Sequence, residues 1–560
     1  MSVFIGYPSF MAYQMMKGKK GNNDGFPSIP GMIARYSALG LTNEQMAANP
    51  VWVDKTGNGH DIQLKNFPWK GMSGVGGYVQ DFNYFKNNAT VDKIRIDEQG
   101  SNFIKVTILT TGIGNAIYIP KNIYQFNKSY FIKISSEGYD EGDMALSFYA
   151  PSTSTATTVT VSLSLNPNGV TEIPAIKEDD FLAVYINVSG KVGSFTVEQL
   201  PLYPGALVFD GVDDYGVCDN FPILTKEKGY TVVALRQWIT YNPNAISAIA
   251  TNASDRSFNG AFTFENYNKG AEQTISYGAT QISLQYSKSP FSWQTTSKYN
   301  GFNIANGNKD ATNSLVLGRA YPQRNEFANF AIWELVFLDH DATEEELTKI
   351  KDYFVKTYPW LFPDQAWTVT GKTNEDEDRA TIANITGNGN NLVLSNLGFA
   401  EGSGYNEQGE YAGYLVTDGV DDKIVSSVFG MGKDFTIVGD WKFIDNKKSG
   451  TGLVKGSSFY IYNTMIGLDL YINSGSVKNS LDGIKSINAA CSDGRAYDRN
   501  WNEILANTGN VVGSGGMLEV SSSGGRFDRI AFKNLAIYPR ILSKDDCIKA
   551  YNYLQTLKSK

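Results

Sequence analysis

Short segments in which apolar and polar residues alternate run through residues 81–203, and turn-forming residues separate them. Alternation with a period of two predicts strands that bury one face and expose the other. The predicted strands are Phe103–Ile108, Ala116–Ile119, Tyr130–Ile134, Met144–Tyr149, Thr158–Leu163, Phe181–Ile186 and Phe195–Glu198. So many short strands within one stretch of chain indicate a β-sandwich or jelly roll.

The rest of the chain contains three motifs that each occur twice, in the same order. The pairs are Thr56–Asn66 with Thr386–Asn396, Leu207–Asp214 with Leu415–Asp422, and Phe327–Leu335 with Phe527–Leu535. After the third motif, both copies continue into a predicted amphipathic helix that ends near Phe354 or Leu554. The copies of the first motif are 330 residues apart and those of the second only 208, so 122 additional residues interrupt the first copy.

We therefore predict an all-β chain of two related jelly-roll sandwiches, with a further β-sandwich inserted into the first. The predicted parts are an N-terminal arm at 1–31, a first repeat at 32–80 and 204–362, an insert at 81–203, and a second repeat at 363–560. The repeats meet at Tyr358–Pro363, where two prolines end the preceding helix and stiffen the connection. Such an insertion is tolerated where the ends of the inserted domain lie close together on a loop.

The N-terminal arm has a composition unlike that of a solvated tail. It combines Phe4, Tyr7, Phe10 and Tyr13 with glycine, proline and lysine in no regular order. We expect the arm to fold against a partner protein and anchor the chain there. The alternative is that it packs on its own domain. The arm lacks the pattern of a secretory signal, and no stretch of the chain is apolar for long enough to span a membrane.

Composition narrows the classes of function. The net charge of -8 offers no basic face for nucleic acid. Cys218, Cys491 and Cys547 lie far apart in sequence, which disfavours a zinc site or a disulfide framework and favours buried apolar roles. His60 and His340 are too distant for a paired-histidine motif, and no nucleophile elbow or phosphate-binding loop stands out. We predict a protein that is not an enzyme and has no cofactor, except for one candidate calcium motif.

That candidate is an acidic motif present in both copies. Its aspartates are Asp210, Asp213 and Asp214 in the first copy, and Asp418, Asp421 and Asp422 in the second. Calcium prefers several carboxylate and carbonyl oxygens, which such a cluster supplies. The alternative is a turn whose aspartates accept hydrogen bonds from the local backbone. The sequence leaves both interpretations open.

A second candidate site is aromatic. Tyr286, Trp293 and Tyr299 surround a predicted loop at Ser287–Pro290 in the first repeat. Exposed aromatic side chains can stack on the faces of sugar rings, so these residues are a candidate carbohydrate site. The alternative is ordinary packing in a core or an interface, because aromatic residues make up 13% of the chain.

The segment Phe209–Tyr215, which reads Phe-Asp-Gly-Val-Asp-Asp-Tyr, resembles the opening strand of laminin-G-like, concanavalin-type lectin domains. The ends of the repeats resemble that family too, since a strand runs into Leu338–Thr343 or Tyr538–Ser543 and then into a helix. The resemblance covers most of both repeats and implies that each is a two-sheet antiparallel jelly roll. The insert resembles galactose-binding-like and other carbohydrate-binding jelly rolls.

A further likeness concerns Asn58–Ile62, followed by Trp69 and Ser73–Tyr78, which is similar to modules in virion proteins of crAss-like tailed phages of gut Bacteroidales. It implies a virion structural protein, such as a head or tail fibre, an appendage or a decoration protein, that is assembled in the host cytoplasm and exposed on the particle surface. The implied partners are other virion proteins reached through the arm, further copies of this chain, and host or mucosal glycans. The alternatives are a cell-surface carbohydrate-binding protein and a polysaccharide-degrading enzyme.

Overall fold

The structure is a computed structural model of the full chain. It describes residues 24–559 except 89–91, 113–114, 152–156, 180, 225–229, 241–246, 254–261, 267–280, 287–301, 305–310, 320–324, 387–388, 408–410, 445–450, 457–458, 464–466, 473–477, 483–486, 507–514 and 524–525. Within these ranges the sheets are antiparallel and the fold is all-β, which confirms the predicted fold class. No described helix is long and apolar enough to cross a membrane.

The first repeat begins with a short run of strands around one small helix. These elements are β1 (Met32–Ser37), α1 (Asn43–Ala48), β2 (Val51–Trp52), β3 (Ile62–Lys65) and β4 (Gly74–Val75). The hydroxyl of Thr42 accepts a hydrogen bond from the amide of Gln45 and so caps the start of α1.

The insert follows, opening with a 3₁₀ turn at Phe82–Tyr84. Its strands are β5 (Lys86–Asn87), β6 (Ile94–Gln99), β7 (Phe103–Ile108), β8 (Ala116–Pro120), β9 (Tyr130–Glu137), β10 (Met144–Pro151), β11 (Thr157–Ser164), β12 (Val170–Ile173), β13 (Ala183–Val188) and β14 (Gly193–Gln199). They form two sheets, in the orders β11-β10-β13-β8-β5 and β12-β9-β14-β7-β6. Ile104, Phe148 and Val184 belong to the buried core of this sandwich.

The first repeat then resumes and ends in a helix. Its remaining elements are β15 (Leu207–Asp210), β16 (Tyr215–Cys218), β17 (Thr231–Trp238), β18 (Ser247–Ala253), β19 (Phe262–Asn266), β20 (Gln281–Tyr286), β21 (Phe302–Ile304), β22 (Ala311–Leu317), β23 (Asn329–Leu338) and α2 (Glu344–Thr357). One sheet has the order β20-β17-β23-β15-β4, with β1 also paired to β23, and the other has the order β2-β3-β16-β22-β18-β19-β21. The two parts of the repeat on either side of the insert therefore contribute strands to both sheets.

A 3₁₀ turn at Pro359–Leu361 leads into the second repeat. Its elements are β24 (Gln365–Thr368), β25 (Thr381–Ile382), β26 (Leu392–Ser395), β27 (Gly404–Tyr405), β28 (Leu415–Val416), β29 (Lys423–Gly430), β30 (Thr436–Phe443), β31 (Thr451–Gly456), β32 (Phe459–Asn463), β33 (Gly467–Ile472), β34 (Lys478–Asp482), β35 (Ala489–Cys491), β36 (Arg495–Tyr497), β37 (Glu503–Ala506), β38 (Gly515–Val520), β39 (Ser522–Ser523), β40 (Arg526–Phe527), β41 (Ile530–Tyr538) and α3 (Lys544–Gln555). One sheet has the order β27-β28-β41-β30-β35-β36-β37, with β24 on β41, and the other runs β25-β26-β29-β38-β31-β32-β33-β34, while β39 pairs with β40.

The duplication extends to individual hydrogen bonds. The hydroxyl of Thr231, at the start of β17, donates to the carbonyl of His340 at 2.9 Å. The hydroxyl of Thr436, at the start of β30, donates to the carbonyl of Arg540 at the same distance. In each repeat this bond ties a central strand to the loop that precedes the last helix, so the two copies share the closing arrangement as well as the strand order.

Contacts between residues divide the chain into two compact units. One contains Met1–Tyr78 and Tyr203–Tyr358, and the other contains Val79–Leu202 and Pro359–Lys560. The insert therefore packs with the second repeat, although the first repeat is its host in the sequence. Phe131 of the insert and Tyr551 of α3, both buried, make an edge-to-face contact with ring centroids 5.3 Å apart.

Charged groups reinforce this packing between the insert and the second repeat. Arg499 Nη2 lies 3.5 Å from Glu172 Oε2 of the insert and 3.4 Å from Asp440 Oδ1 of β30. The hydroxyl of Tyr414 donates to both carboxylate oxygens of Asp440, and that of Tyr551 donates to Glu172. Burial, reinforced by the nearby carboxylate of Asp440, raises the pKa of Glu172.

Candidate functional site: a tyrosine face and two aspartate clusters

One outer sheet face of the insert carries a group of tyrosines. Successive side chains of a strand point to opposite faces of a sheet. In β8, Ile117 and Ile119 point into the core of the sandwich, and Tyr118 between them points outward. Tyr185 in β13 alternates in the same way with buried Val184 and Ile186.

The tyrosines touch one another across the strands. Tyr118 and Tyr185 are directly opposite on paired strands, and their rings stack with centroids 5.4 Å apart at an interplanar angle of 25°. Tyr149, on β10 at the other side of β13, packs edge-on against Tyr185 with centroids 4.8 Å apart. All three rings are partly exposed. The three residues, named here the tyrosine face, form a continuous aromatic surface.

Polar groups border the tyrosine face. Ser147 is opposite Tyr185 on β10, and its hydroxyl is 3.2 Å from that of Ser162 on β11. Lys86 is opposite Tyr118 on β5 and is exposed. Partial burial, together with the neighbouring phenols, raises the pKa of Tyr185, so its hydroxyl stays protonated through the neutral range. The surface therefore combines aromatic rings with hydrogen-bonding groups.

The aspartate clusters lie where the chain crosses from one sheet of each repeat to the other. Asp210 ends β15 and Asp214 precedes β16, and these strands belong to different sheets. Asp210 Oδ1 accepts a hydrogen bond from the amide of Val212 at 2.7 Å, and Asp214 Oδ2 accepts one from the amide of Asp210 at 2.9 Å. Gly211 has a φ of +76° and lies against Asn329, so a side chain there would be strained.

The second repeat reproduces this turn. Asp418 Oδ1 accepts from the amide of Val420 at 2.7 Å, and Asp422 Oδ2 accepts from the amide of Asp418 at 2.8 Å. Ser403 also donates to Asp422 Oδ2. In both copies, therefore, aspartates of the turn accept hydrogen bonds from the local backbone, as one of the two interpretations predicted.

The last aspartate of each cluster is buried. Asp214 is 0% exposed and Asp422 is 1% exposed. Burial and the nearby carboxylates raise the pKa of Asp214 to about 7, and burial also raises the pKa of Asp422. One oxygen of each, Oδ1, has no hydrogen-bond partner among the described residues. One carboxylate oxygen from each aspartate of a cluster lies within 4.8 Å of the others.

The predicted aromatic site and the predicted anchoring residues lie mostly outside the described residues. Tyr286 is the last residue of β20, whereas Trp293 and Tyr299 lie outside the described residues. The proposed anchoring residues Phe4, Tyr7, Phe10 and Tyr13 also lie outside them. The predicted buried roles of the three cysteines are confirmed.

Sequence reasoning missed the tyrosine face. Its signal was present in the strand patterns, because Tyr118, Tyr149 and Tyr185 occupy the solvent-facing phase of strands that otherwise alternate regularly. Their proximity depends on the strand order β10-β13-β8, which brings distant segments together.

No family profile and no curated protein matches the chain. Matches to solved structures include Trypanosoma rangeli sialidase in complex with sialic acid, at 10% identity and a TM-score of 0.25, covering 88% of this chain and 98% of that one. The tandem CBM22 domains of Paenibacillus barcinonensis Xyn10C match at 9% identity and a TM-score of 0.16, and the match covers 49% of this chain and 99% of that one. A truncated AlyQ with CBM32 and alginate lyase domains matches at 8% identity and a TM-score of 0.18, and the match covers 60% of this chain and 91% of that one.

The prediction that the protein is not an enzyme is contradicted by these matches, since they include sialidases, and we withdraw it. At such low TM-scores the matches carry no argument for any activity of this chain.

Proposed function

We propose that the protein is a carbohydrate-binding protein and that the tyrosine face of the insert is a binding surface for glycans. The single observation that carries this proposal is the contact between Tyr118, Tyr149 and Tyr185 on one outer sheet face. A single partly exposed tyrosine is ordinary, but three partly exposed rings in contact with one another form a contiguous aromatic patch of the kind that binding surfaces contain.

The chemistry of a sugar ring suits this surface. A pyranose presents a face of C–H groups that packs on an aromatic ring, and a rim of hydroxyls that need hydrogen-bond partners. Tyr118 and Tyr185 supply the rings, while the exposed residues Ser162 and Lys86 supply hydrogen-bonding groups beside them. Tyr118, Tyr149 and Tyr185 lie on three neighbouring strands, so several sugar rings can contact them together, which favours a chain of sugars over a single small molecule.

Affinity electrophoresis of the full chain through gels that contain neutral, acidic or amino-sugar polysaccharides tests the proposal. We expect retardation by at least one class of polysaccharide. Tyr185→Ala should weaken that binding about tenfold, because it removes the ring that contacts both others and aromatic contacts of this kind are worth roughly 1 kcal/mol beyond buried area.

Tyr84→Ala is the matched control, since Tyr84 is an exposed tyrosine of the same domain in the 3₁₀ turn Phe82–Tyr84. It should leave binding unchanged. Equal retardation of the Tyr185 variant and the unaltered protein, with both folded by circular dichroism, would refute the tyrosine face as the site.

We also propose that the protein acts on the surface of a phage particle, as a homo-oligomer held by its N-terminal arm. The similarity of Asn58–Ile62 and Ser73–Tyr78 to virion modules supports this setting. Mass spectrometry of purified particles should then find the chain at a fixed copy number. Absence from particles, with the chain present on cells, would favour a cell-surface carbohydrate-binding protein instead.

A further inference from the structure

Two buried cysteines meet beneath the last helix of the second repeat. Cys491 ends β35, Cys547 lies near the start of α3, and both are 0% exposed. The thiol of Cys547 donates a hydrogen bond to the sulfur of Cys491, so the two thiols are in contact. Cys491 Sγ also lies 4.0 Å from the carbonyl oxygen of Leu542, in the loop that leads into α3.

Strand pairing and helix packing produce this contact. Cys491 is directly opposite Thr436 on the neighbouring strand β30, so their side chains share one face of the sheet. The hydroxyl of Thr436 lies 3.6 Å from Cys491 Sγ and accepts a hydrogen bond from the amide of Leu542 at 2.9 Å. The shared face is therefore the one that the start of α3 covers, which brings Cys547 to Cys491.

The thiol pair occurs in the second repeat alone. The two corresponding positions of the first repeat are Tyr286, which is opposite Thr231 on β17, and Leu347 in α2. The third cysteine of the chain, Cys218, belongs to the first repeat, where its buried thiol donates to Asn220 Oδ1 at 3.2 Å. The chain therefore contains one pair of touching thiols and one buried thiol with a different partner.

The two thiols of the pair differ in acidity. The hydrogen bond from Cys547 lowers the pKa of Cys491 against the effect of burial, and Thr436 and Arg495 lower it further. The same hydrogen bond, together with burial, raises the pKa of Cys547. The thiolate is the nucleophile in thiol–disulfide exchange, so Cys491 is the thiol that reacts first and Cys547 is the one that follows.

We propose that Cys491 and Cys547 form a reversible disulfide by exchange with a low-molecular-weight disulfide, and that this bond fastens α3 to β35. The thiolate of Cys491 attacks one sulfur of the small disulfide and releases a small thiolate. Cys547 then loses its proton and attacks the sulfur of Cys491, which releases the second small thiol. Two protein thiols are thus oxidised while one small disulfide is reduced to two thiols. Because both sulfurs are buried, the first step proceeds through local opening of α3.

The disulfide would act on the contact between the insert and the second repeat. Tyr551 lies one helical turn after Cys547 in α3. Its ring packs on Phe131 of the insert, and its hydroxyl donates to Glu172 of the insert. A bond that fastens the start of α3 restrains this contact, so the redox state of the pair sets how firmly the helix holds the insert. This proposal is independent of glycan binding at the tyrosine face.

Incubation of the folded full chain with oxidised glutathione tests the proposal. The remaining thiols are then alkylated with N-ethylmaleimide in denaturant and located by mass spectrometry. We expect all three cysteines to be alkylated before oxidation and Cys218 alone after it, with a mapped bond between Cys491 and Cys547. The Tm of the unit that contains the second repeat should rise by about 5 °C, because the bond restricts the unfolded chain, and should fall again on reduction with dithiothreitol.

Cys218→Ser is the matched control and should keep both the disulfide and the rise in Tm. Cys547→Ser should lose both, and Cys491 should then hold glutathione as a mixed disulfide, because no second thiol displaces it. Three alkylated cysteines after oxidation, or a bond that involves Cys218, would overturn the proposal. A disulfide that forms only when the chain is unfolded in urea would overturn it as well.

Hydrogen exchange tests the effect on the helix separately. Exchange in α3 should be slower in the oxidised protein than in the reduced one, and oxidation of Cys547→Ser should leave it unchanged. Equal exchange rates in α3 of the oxidised and reduced protein would refute the fastening of the helix even if the bond itself forms.

Discussion

Arg35 and Glu334 form an ion pair whose side chains are both 0% exposed. Arg35 Nε lies 3.1 Å from Glu334 Oε2, and the hydroxyl of Tyr358 donates to Glu334 Oε1 at 2.7 Å. Arg35 also stacks over the ring of Phe26. The pair connects β1 to β23 inside the first repeat, so the network depends on residues almost 300 positions apart.

We predict that Arg35→Met destabilises the unit containing the first repeat by about 3–5 kcal/mol, because it leaves the Glu334 carboxylate buried without its cation. Urea unfolding measures this loss. Lys349→Ala is the control, since its pair with Glu345 is exposed on α2 and should contribute less than about 0.5 kcal/mol. Similar losses for both variants would show that burial does not set the strength of the Arg35 pair.

His340 makes contacts in the first repeat whose strength depends on pH. Partial burial lowers the pKa of His340, but hydrogen bonds to Asp339 and Glu346 outweigh burial and raise it above its usual value of 6.5. A raised histidine pKa stabilises the fold at low pH, and that contribution disappears as the pH rises through the folded-state value.

We therefore predict that His340→Gln lowers the Tm at pH 6 and has little effect at pH 8.5. Thermal unfolding of both proteins at the two pH values measures the difference. An effect of equal size at both pH values would mean that the charge of His340 makes no contribution.

At the scale of elements, the two closing helices begin with equivalent caps. The hydroxyl of Thr343 accepts from the amide of Glu346, whose carboxylate accepts from the amide of Thr343, which makes a capping box. Ser543 accepts from the amide of Asp546 at the start of α3. The sequence predicted an amphipathic helix after the third motif in each copy, ending near Phe354 and Leu554, but not these caps.

We predict that Thr343→Ala and Ser543→Ala each cost about 1 kcal/mol, because each leaves an amide of the first helical turn without its acceptor. Chemical denaturation of the single variants checks the values. Thr348→Ala is the control within α2, where the hydroxyl donates to the carbonyl of Glu344 and alanine favours the helix. A loss of similar size at Thr348 would show that the caps have no special effect.

Strands in the insert show how far alternation predicts elements. The predicted strand Phe103–Ile108 has the same bounds as β7, and Met144–Tyr149 lies within β10. Strands β6 and β12 were not predicted, because Ile94–Gln99 is mostly polar and Val170–Ile173 has only four residues. Alternation also assigns Tyr118 and Tyr185 to an outer face, but only strand pairing places one beside the other.

At the scale of the whole molecule, the motif spacing predicted where the insert interrupts the first repeat. It did not predict that the insert packs with the second repeat. Phe131 and Tyr551, which make that contact, have the sequence character of ordinary core residues. Nothing in their local pattern distinguishes an intradomain partner from an interdomain one.

We predict that Phe131→Ala weakens the unit formed by the insert and the second repeat, at a cost of about 3–5 kcal/mol for a buried phenylalanine. Hydrogen exchange should accelerate in α3, where Tyr551 loses its contact. Val192→Ala is the control, because Val192 is exposed on the same insert and should leave exchange in α3 unchanged. Unchanged protection of α3 in the Phe131 variant would show that this contact does not couple the two domains.

The chain leaves and re-enters the first repeat at neighbouring points, since the amide of Tyr203 donates to the carbonyl of Gly76 at 2.8 Å. A second bond, from the amide of Gly76 to the carbonyl of Ala206, closes the gap between the two ends. These bonds join the two ends of the first repeat directly, so its strands stay paired without any contribution from the inserted domain. Replacement of the inserted domain at this junction is therefore expected to leave the pairing of the host strands intact.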